Sequence, residues 1–464
     1  MKNRLGKMRT SECVKTMKIG WISLGCPKNQ VDTDYMIGLA EEAGFTLTAK
    51  PEEADILVIN TCSFIETATQ ESIDTILEFA AYKKDRCRLL VVAGCLPQRY
   101  GRKLEKALPE VDLWLGTGEY SRLPELIKAA FAAKQGEKYF AQEPAGWLPP
   151  ALADRPLTTT GPYAYVKIAE GCDHHCLYCI IPQLKGRYRS RDPESIEAEV
   201  AALLRRGVKE INLVAQDTTA YGQDSGGAYN LASLLSRLDR LEGDFWIRLL
   251  YTYPALITDE LLAAIGQSKH VCRYLDIPLQ HVSDRVLKRM GRRGSRGEIR
   301  ELIAKVRRVL PGVAIRSTFI LGYPGESEED FQELLAFLAE VKLDWVGVFP
   351  YSREEGTAAA RLPDQVHPAT KKRRARMVLE QQQAHSLAQN QALIGQELLV
   401  LLEEEAAPGR WRGRSYREAP EIDGLVQVEA NGHHRTRMQA GSFVPVRIEA
   451  ATPYELLGKI NPGW

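Results

Sequence analysis

Glu170-Gly171-Cys172-Asp173-His174-His175-Cys176-Leu177-Tyr178-Cys179 decides how the rest of the chain is read. The cysteines follow C-x3-C-x2-C spacing on one loop, so three thiolates can converge on a metal centre. A four-iron, four-sulfur (4Fe-4S) cube ordinarily takes four cysteines. Three ligands leave one iron open to a substrate or cofactor. The competing reading is a zinc site with His174 or His175 as fourth ligand. The flanking pattern weighs for iron. Ala164–Ala169 reads as a strand, and further strands are predicted at Glu210–Ala215, Trp246–Leu250, Tyr274–Pro278, Ala314–Leu321 and Trp345–Pro350. Amphipathic stretches between them, such as Pro193–Arg206 and Ser327–Glu340, read as helices. Six such units predict a full or partial (β/α) barrel with its chemistry at the carboxyl ends of the strands. A polar helix of about Pro368–Leu393 leaves this domain.

Upstream, the α/β rhythm is smaller. Lys18–Leu24, Ala54–Asn60 and Leu89–Ala93 read as strands, and Val31–Ala43, Glu66–Tyr82 and Leu123–Lys134 as helices. Continuous apolar strands argue for a parallel sheet covered on both faces. Glu143–Pro162 is rich in Pro, Ala and Thr and reads as a linker. Downstream, Glu397–Glu403, Gly424–Glu429 and Phe443–Ala450 predict a small all-β barrel of the OB-like size class.

The chain has 464 residues, a net charge of +1 and nine cysteines. No global field points to nucleic acid or membrane. Met1–Thr16 is basic and reads as an extension without a signal peptide's apolar core. No run of about 18 apolar residues suggests a membrane span, so a soluble cytoplasmic protein is expected. In that compartment cysteines favour metal or redox roles over disulfides. Cys26, Cys62 and Cys95 each sit just past a predicted parallel strand, the crevice where open α/β sheets bind ligands. They form a second candidate metal set, with Gly25 and Gly94 allowing close backbone approach. Cys13, Cys87 and Cys272 lack such placement and read as incidental.

The cluster loop, with aromatic Tyr178 before its last cysteine, resembles the radical S-adenosylmethionine (SAM) superfamily over residues of about 163–385. That resemblance implies a cluster on Cys172, Cys176 and Cys179 whose open iron chelates SAM and passes it an electron, releasing a 5′-deoxyadenosyl radical. It also implies SAM contacts from Tyr178, Gln216 and Asp217, although the usual Gly-Gly-Glu is replaced by Ala215-Gln216-Asp217. Ile320-Leu321-Gly322-Tyr323-Pro324-Gly325-Glu326 resembles the superfamily's glycine–proline turn near the adenosyl pocket.

From Met17 onward the layout resembles the methylthiotransferase family, which implies three domains: an iron–sulfur domain at 17–140, a radical SAM core at 158–388 and a TRAM domain at 390–458. It implies a second 4Fe-4S cluster on Cys26, Cys62 and Cys95, thought to carry the transferred sulfur. One SAM supplies the methyl group and a second generates the radical. Family members modify either an aspartate of ribosomal protein S12 or a tRNA adenosine. Ser23-Leu24-Gly25-Cys26-Pro27-Lys28-Asn29, Asp276-Ile277-Pro278-Leu279-Gln280-His281 and Ala419-Pro420-Glu421-Ile422-Asp423-Gly424 resemble the S12-modifying branch. An electron donor such as a flavodoxin or ferredoxin, and a sulfur donor, are implied partners. The tail's Glu403, Glu404, Glu405, Glu418, Glu421, Asp423 and Glu429 suit a basic protein better than RNA, and the tail is expected to be removable without loss of either cluster. The basic runs Arg292-Arg293 and Lys371-Lys372-Arg373-Arg374 keep tRNA as the alternative. A non-catalytic electron carrier would need neither barrel nor tail.

Overall fold

A computed structural model describes residues 17–132, 139–141, 146–150, 155–430 and 438–461. The Met1–Thr16 extension with Cys13, residues 143–145 and 151–154 of the expected linker, and the last two residues of the expected helix ending at Lys134 lie outside them. The chain divides into two compact units. The first contains the chain up to Thr158 together with Ala169–His174 and Cys179–Arg191. The second contains Thr159–Ile168, His175–Tyr178 and everything from Asp192 onward.

The first unit holds a six-stranded parallel sheet: β1 (Lys18–Ser23), β2 (Thr46–Leu47), β3 (Ile56–Thr61), β4 (Leu89–Gly94), β5 (Leu113–Leu115) and β6 (Tyr139–Ala141), in the order β2-β1-β3-β4-β5-β6. Every residue of β3 and β4 is buried. Alternate side chains serve opposite faces. Ile56, Val58, Val91 and Ala93 join Met36 and Ala40 of helix Pro27–Glu42 and Ile127 of helix Leu123–Ala132. Leu57, Ile59, Leu90 and Val92 join Ile76 of helix Glu66–Ala80. A sheet covered on both sides needs apolar residues at every position.

The expected linker is not a free tether where it is described. Trp147 sits edge-on to Tyr35 and Tyr120, with ring centroids 5.8 and 5.3 Å apart. Arg155 is buried and donates to Asp34 at 2.7 Å. An aromatic ring and a paired charge hold this stretch on the first unit despite its Pro- and Ala-rich composition.

β7 (Tyr163–Lys167) opens the second unit, while the short β8 (Ala169–Glu170) and β9 (Arg189–Ser190) pair antiparallel in the first. β10 (Glu210–Val214), β11 (Trp246–Leu249), β12 (Val271–Asp276), β13 (Ala314–Leu321) and β14 (Trp345–Pro350) complete an open parallel sheet ordered β14-β13-β12-β11-β10-β7. The barrel is therefore partial. Helix Pro368–Gln391 leads to a closed five-stranded barrel of β15 (Glu397–Ala407), β16 (Arg410–Arg414), β17 (Leu425–Glu429), β18 (Phe443–Ala451) and β19 (Glu455–Ile460), ordered β15-β16-β17-β19-β18. Closure removes the exposed strand edges.

The segment joining β16 to β17 is bound to the parallel sheet on the side where its strands begin. Glu210, the first residue of β10, is fully buried between Arg248 at 2.6 Å and Arg414 at 2.7 Å. Arg414 also meets Glu403 at 2.6 Å. Tyr163 and Tyr165 donate to the two carboxylate oxygens of Glu421 at 2.8 and 3.2 Å. Asp423 accepts from Tyr274 at 2.6 Å and pairs with Arg316 at 3.3 Å. Trp345, the first residue of β14, donates its indole N–H to the Arg417 carbonyl. This corrects the reading of Glu418 and Asp423 as a surface for a basic protein, while Glu421 stays exposed as it accepts from the two tyrosines. Glu418 is buried and accepts from Ser415 N–H and hydroxyl. Burial pushes the Asp423 carboxyl up to about 6 even with Arg316 beside it. Glu404 and Glu429 face arginines of their own barrel.

Removing one partner of a buried ion pair leaves an uncompensated charge, at a cost of about 3–5 kcal/mol. Arg414→Ala is expected to lose stability of that order in anaerobic guanidinium denaturation of the full chain. Ending the chain before Glu397 strips the caps from Tyr163, Glu210, Arg248 and Arg316 together. Contrary to the sequence expectation, that fragment is expected to aggregate or to melt without cooperativity by calorimetry. A soluble fragment with a parent-like transition would refute the dependence.

Candidate functional site

The first unit places the three N-terminal cysteines at the carboxyl ends of β1, β3 and β4. Cys26 precedes helix Pro27–Glu42, and Cys95 begins helix Cys95–Tyr100. Cys62 and Cys95 are buried and Cys26 is half-buried; all the described cysteines are free thiols. Gly25, at φ +91°, lets Cys26 and Cys62 approach: a Cβ there would lie 2.6 Å from Cys62 Cβ and 3.0 Å from its Sγ. Gly94, at φ +101°, is confined by Asn60 and Thr61, and a Cβ would come within 2.4 Å of Asn60 Oδ1. Amide and hydroxyl groups fix the loops. Asn29 donates to the carbonyls of Leu24 and Thr61, Thr61 donates to that of Ala93, and Ser72 bridges the Cys62 N–H and carbonyl.

Burial pushes the Cys62 thiol up to about 11, with the nearby Cys26 adding to the effect. Burial pushes Cys95 up to about 12, opposed by Lys185. Free thiols with such values stay protonated and unreactive, so only a bound metal would draw off their protons. Among the described residues no three His, Cys, Asp or Glu side chains gather tightly enough for a single metal ion. A cube with its irons at separate corners takes thiolates set further apart, and three thiols at three strand ends fit that donor set.

The loop after β7 carries Cys172, Cys176 and Cys179, all half-buried. Gly171, at φ +87°, passes so close to the following turn that a Cβ would meet the Arg187 carbonyl at 2.0 Å. Cys172 N–H donates to the Gly186 carbonyl at 3.1 Å, and Ile181 N–H points at Cys179 Sγ from 3.4 Å. In the second unit the half-buried Arg292 organises the other side of the loop. It donates to the Tyr178 hydroxyl at 3.3 Å and the Pro278 carbonyl at 2.7 Å, lies over the Tyr253 ring, and has one N–H nitrogen 4.0 Å from Cys176 Sγ.

Gln216 and Asp217 lie just past β10, after Ala215. Asp217 is buried, and its Oδ1 accepts from the N–H groups of Thr219 and Ala220 and from the Thr219 hydroxyl. It shapes the loop, while Gln216 is half-buried. Two non-glycine residues past strand ends, Tyr251 at φ +61° and Gln280 at φ +70°, hold left-handed backbone, a strain that concentrates at functional sites. The glycine–proline turn is tight: a Cβ at Gly322 would meet Lys371 at 2.3 Å, and one at Gly325 would meet Arg289 at 2.7 Å. Cys87 and Cys272 are buried within the cores of their sheets.

Lys185 and Arg292 were missed as site residues. Lys185 is buried, 3.0 Å from Asp32 and 3.6 Å from Glu170, over the Tyr120 ring. Burial opposes its charge, yet Asp32 and then Glu170 hold the ammonium well above lysine's ordinary range. Its only sequence signal is a position six residues past Cys179. In the sequence Arg292 stands only as part of a basic run that keeps tRNA as the alternative. Its signal is the flanking Gly291 and Gly294, both at positive φ, which turn the chain back on the cluster loop.

Residues 18–116 match the family described as Uncharacterized protein family UPF0004, residues 166–338 the Radical SAM superfamily, and residues 394–460 the TRAM domain. The solved structure of the radical SAM methyltransferase TsrM from Kitasatospora setae, with cobalamin and a 4Fe-4S cluster bound, is similar in fold. Its TM-score is 0.55 at 13% identity, covering 74% of each chain. Relatives are similar in sequence over nearly the whole length. The ribosomal protein uS12 methylthiotransferase RimO of Heliobacterium modesticaldum is 49% identical over 97% of this chain and 96% of its own. That of Geobacter sulfurreducens is 46% identical over 96% and 98%. Being 49% and 46% identical to these relatives over nearly the whole of both chains, the chain belongs to the RimO family of radical SAM methylthiotransferases.

Proposed function

We propose that this chain methylthiolates the β-carbon of an aspartate in ribosomal protein S12, using two SAM molecules and a sulfur donor. The observation that carries the reading is the presence of two separate three-cysteine sets, each brought to strand ends by glycines that no other residue could replace without a clash. A bond as inert as an aspartate β-C–H yields to a radical and not to a base, and two 4Fe-4S clusters with SAM supply that chemistry when bound.

The chain's own residues have distinct parts. Cys172, Cys176 and Cys179 would hold the SAM-binding cluster, with Arg292 fixing Tyr178 and placing positive charge beside Cys176. Cys26, Cys62 and Cys95 would hold the second cluster. Gln216 and Tyr178 are proposed SAM contacts, with Asp217 acting through the loop it caps. The proposed domain extents are 17–140, 158–388 and 390–458. No helix among the described residues is long and apolar enough to cross a membrane. Action in the cytoplasm, with a flavodoxin or ferredoxin as electron donor, completes the proposal. Substrate choice rests on the named relatives, because Glu418 and Asp423 of the tail are engaged inside the fold. Arg374 of the second basic run is buried against Glu326 at 2.6 Å and Arg292 of the first lies over the Tyr253 ring, so one cation of each run is taken up within the fold.

Anaerobically reconstituted protein is expected to hold about eight irons, from two four-iron clusters, by iron analysis. Replacing Cys172, Cys176 and Cys179 with alanine should leave about half that iron and end 5′-deoxyadenosine release. Replacing Cys26, Cys62 and Cys95 should preserve 5′-deoxyadenosine release and abolish methylthio transfer; transfer at the parent rate would remove the second site.

Incubation with SAM, reductant and sulfide, with S12 and tRNA side by side, should give a methylthio mass shift on S12 alone by mass spectrometry. A shift confined to tRNA would reverse the substrate assignment.

A further inference from the structure

The short helix Ile181–Lys185 lies immediately after Cys179, yet its contacts are with the N-terminal cysteine site. Ile180 and Leu184 pack on Cys95. The Leu184 carbonyl accepts from the Thr117 hydroxyl at 2.7 Å. At its end Lys185 reaches Asp32, on the helix that follows Cys26, and Glu170, two residues before Cys172. One buried ammonium thus touches a carboxylate from each cysteine loop, and Cys95 is among the groups that feel its charge.

We propose that Lys185 is an electrostatic positioning residue that sets the reduction potential of the Cys26/Cys62/Cys95 centre and fixes the loop after Cys179 against it. The inference rests on the reading of those three cysteines as cluster ligands. Three thiolates, two of them on the buried Cys62 and Cys95, bring negative charge into a largely enclosed place, and each added electron brings more. A buried cation nearby stabilises the reduced form, whereas Asp32 and Glu170 act against it. The three side chains form a graded charge set, and altering its members has opposite signs: removing Asp32 should make the centre easier to reduce, and removing Lys185 should make it harder. Loosened packing would not give that reversal.

The test uses the full chain with Cys172, Cys176 and Cys179 replaced by alanine, so that one centre remains, and reads its midpoint by redox titration with electron paramagnetic resonance. Asp32→Asn is expected to favour reduction by about tenfold, about 59 mV for one electron. Lys185→Met is expected to disfavour it, because the buried cation is lost while Asp32 and Glu170 stay in place. Lys185→Arg keeps the charge and should stay within about twofold of the parent. If Lys185→Met fails to take up iron, Asp32→Asn still decides by the direction of its shift. Shifts in the same direction for both variants, or none beyond about twofold in Asp32→Asn, would overturn the role of Lys185. An iron-free parent would overturn the cluster assignment and this role with it.

Discussion

Glu210 carries its charge at full burial, and two arginines from different parts of the chain answer it: Arg248 on the neighbouring strand and Arg414 at the end of β16. A lone carboxylate at that depth would face a desolvation penalty of several kcal/mol. The ion group holds only if the tail segment is seated, and the segment is seated only if the sheet presents Tyr163, Tyr165, Tyr274 and Arg316 to it. The tail barrel therefore acts as part of the parallel sheet's core, closing the side where the strands begin. The other ends of the strands, past which the cluster loop, Gln216 and the strained Tyr251 and Gln280 lie, are left for chemistry.

Much of the fold was legible because long apolar runs leave few alternatives. Ala314–Leu321 and Trp345–Pro350 coincide with β13 and β14. The elements missed were those whose pairing, and not their composition, makes them strands. β16 reads Arg-Trp-Arg-Gly-Arg and looks like a charged loop, but it lies between β15 and β17 and buries Trp411. β5 is three residues long. β12 begins three residues before its predicted start because Val271 and Cys272 were left out of the apolar run.

The site was legible to the extent that glycine and cysteine mark it. Cys next to Gly at a strand end is a local signal, and in the fold Gly25, Gly94 and Gly171 all occupy left-handed backbone. Charge was not legible in the same way. Glu421 and Asp423 look like surface carboxylates in sequence, and Lys185 looks like any lysine. Tyr274 for Asp423 and Asp32 for Lys185 are more than a hundred residues away, so only the folded chain tells these buried groups from solvated ones.

The unequal burial of the N-terminal thiols bears on how the protein withstands oxygen. Cys62 and Cys95, protonated and shielded, sit low in susceptibility to the sulfenic and sulfinic steps that ruin a ligand. Cys26 is the one thiol of that set with substantial access to solvent. A group arriving from solvent meets the Cys26 thiol before those of Cys62 and Cys95. The fold thus shelters two thiols of the set from oxygen and leaves Cys26 as the one that solvent reaches first.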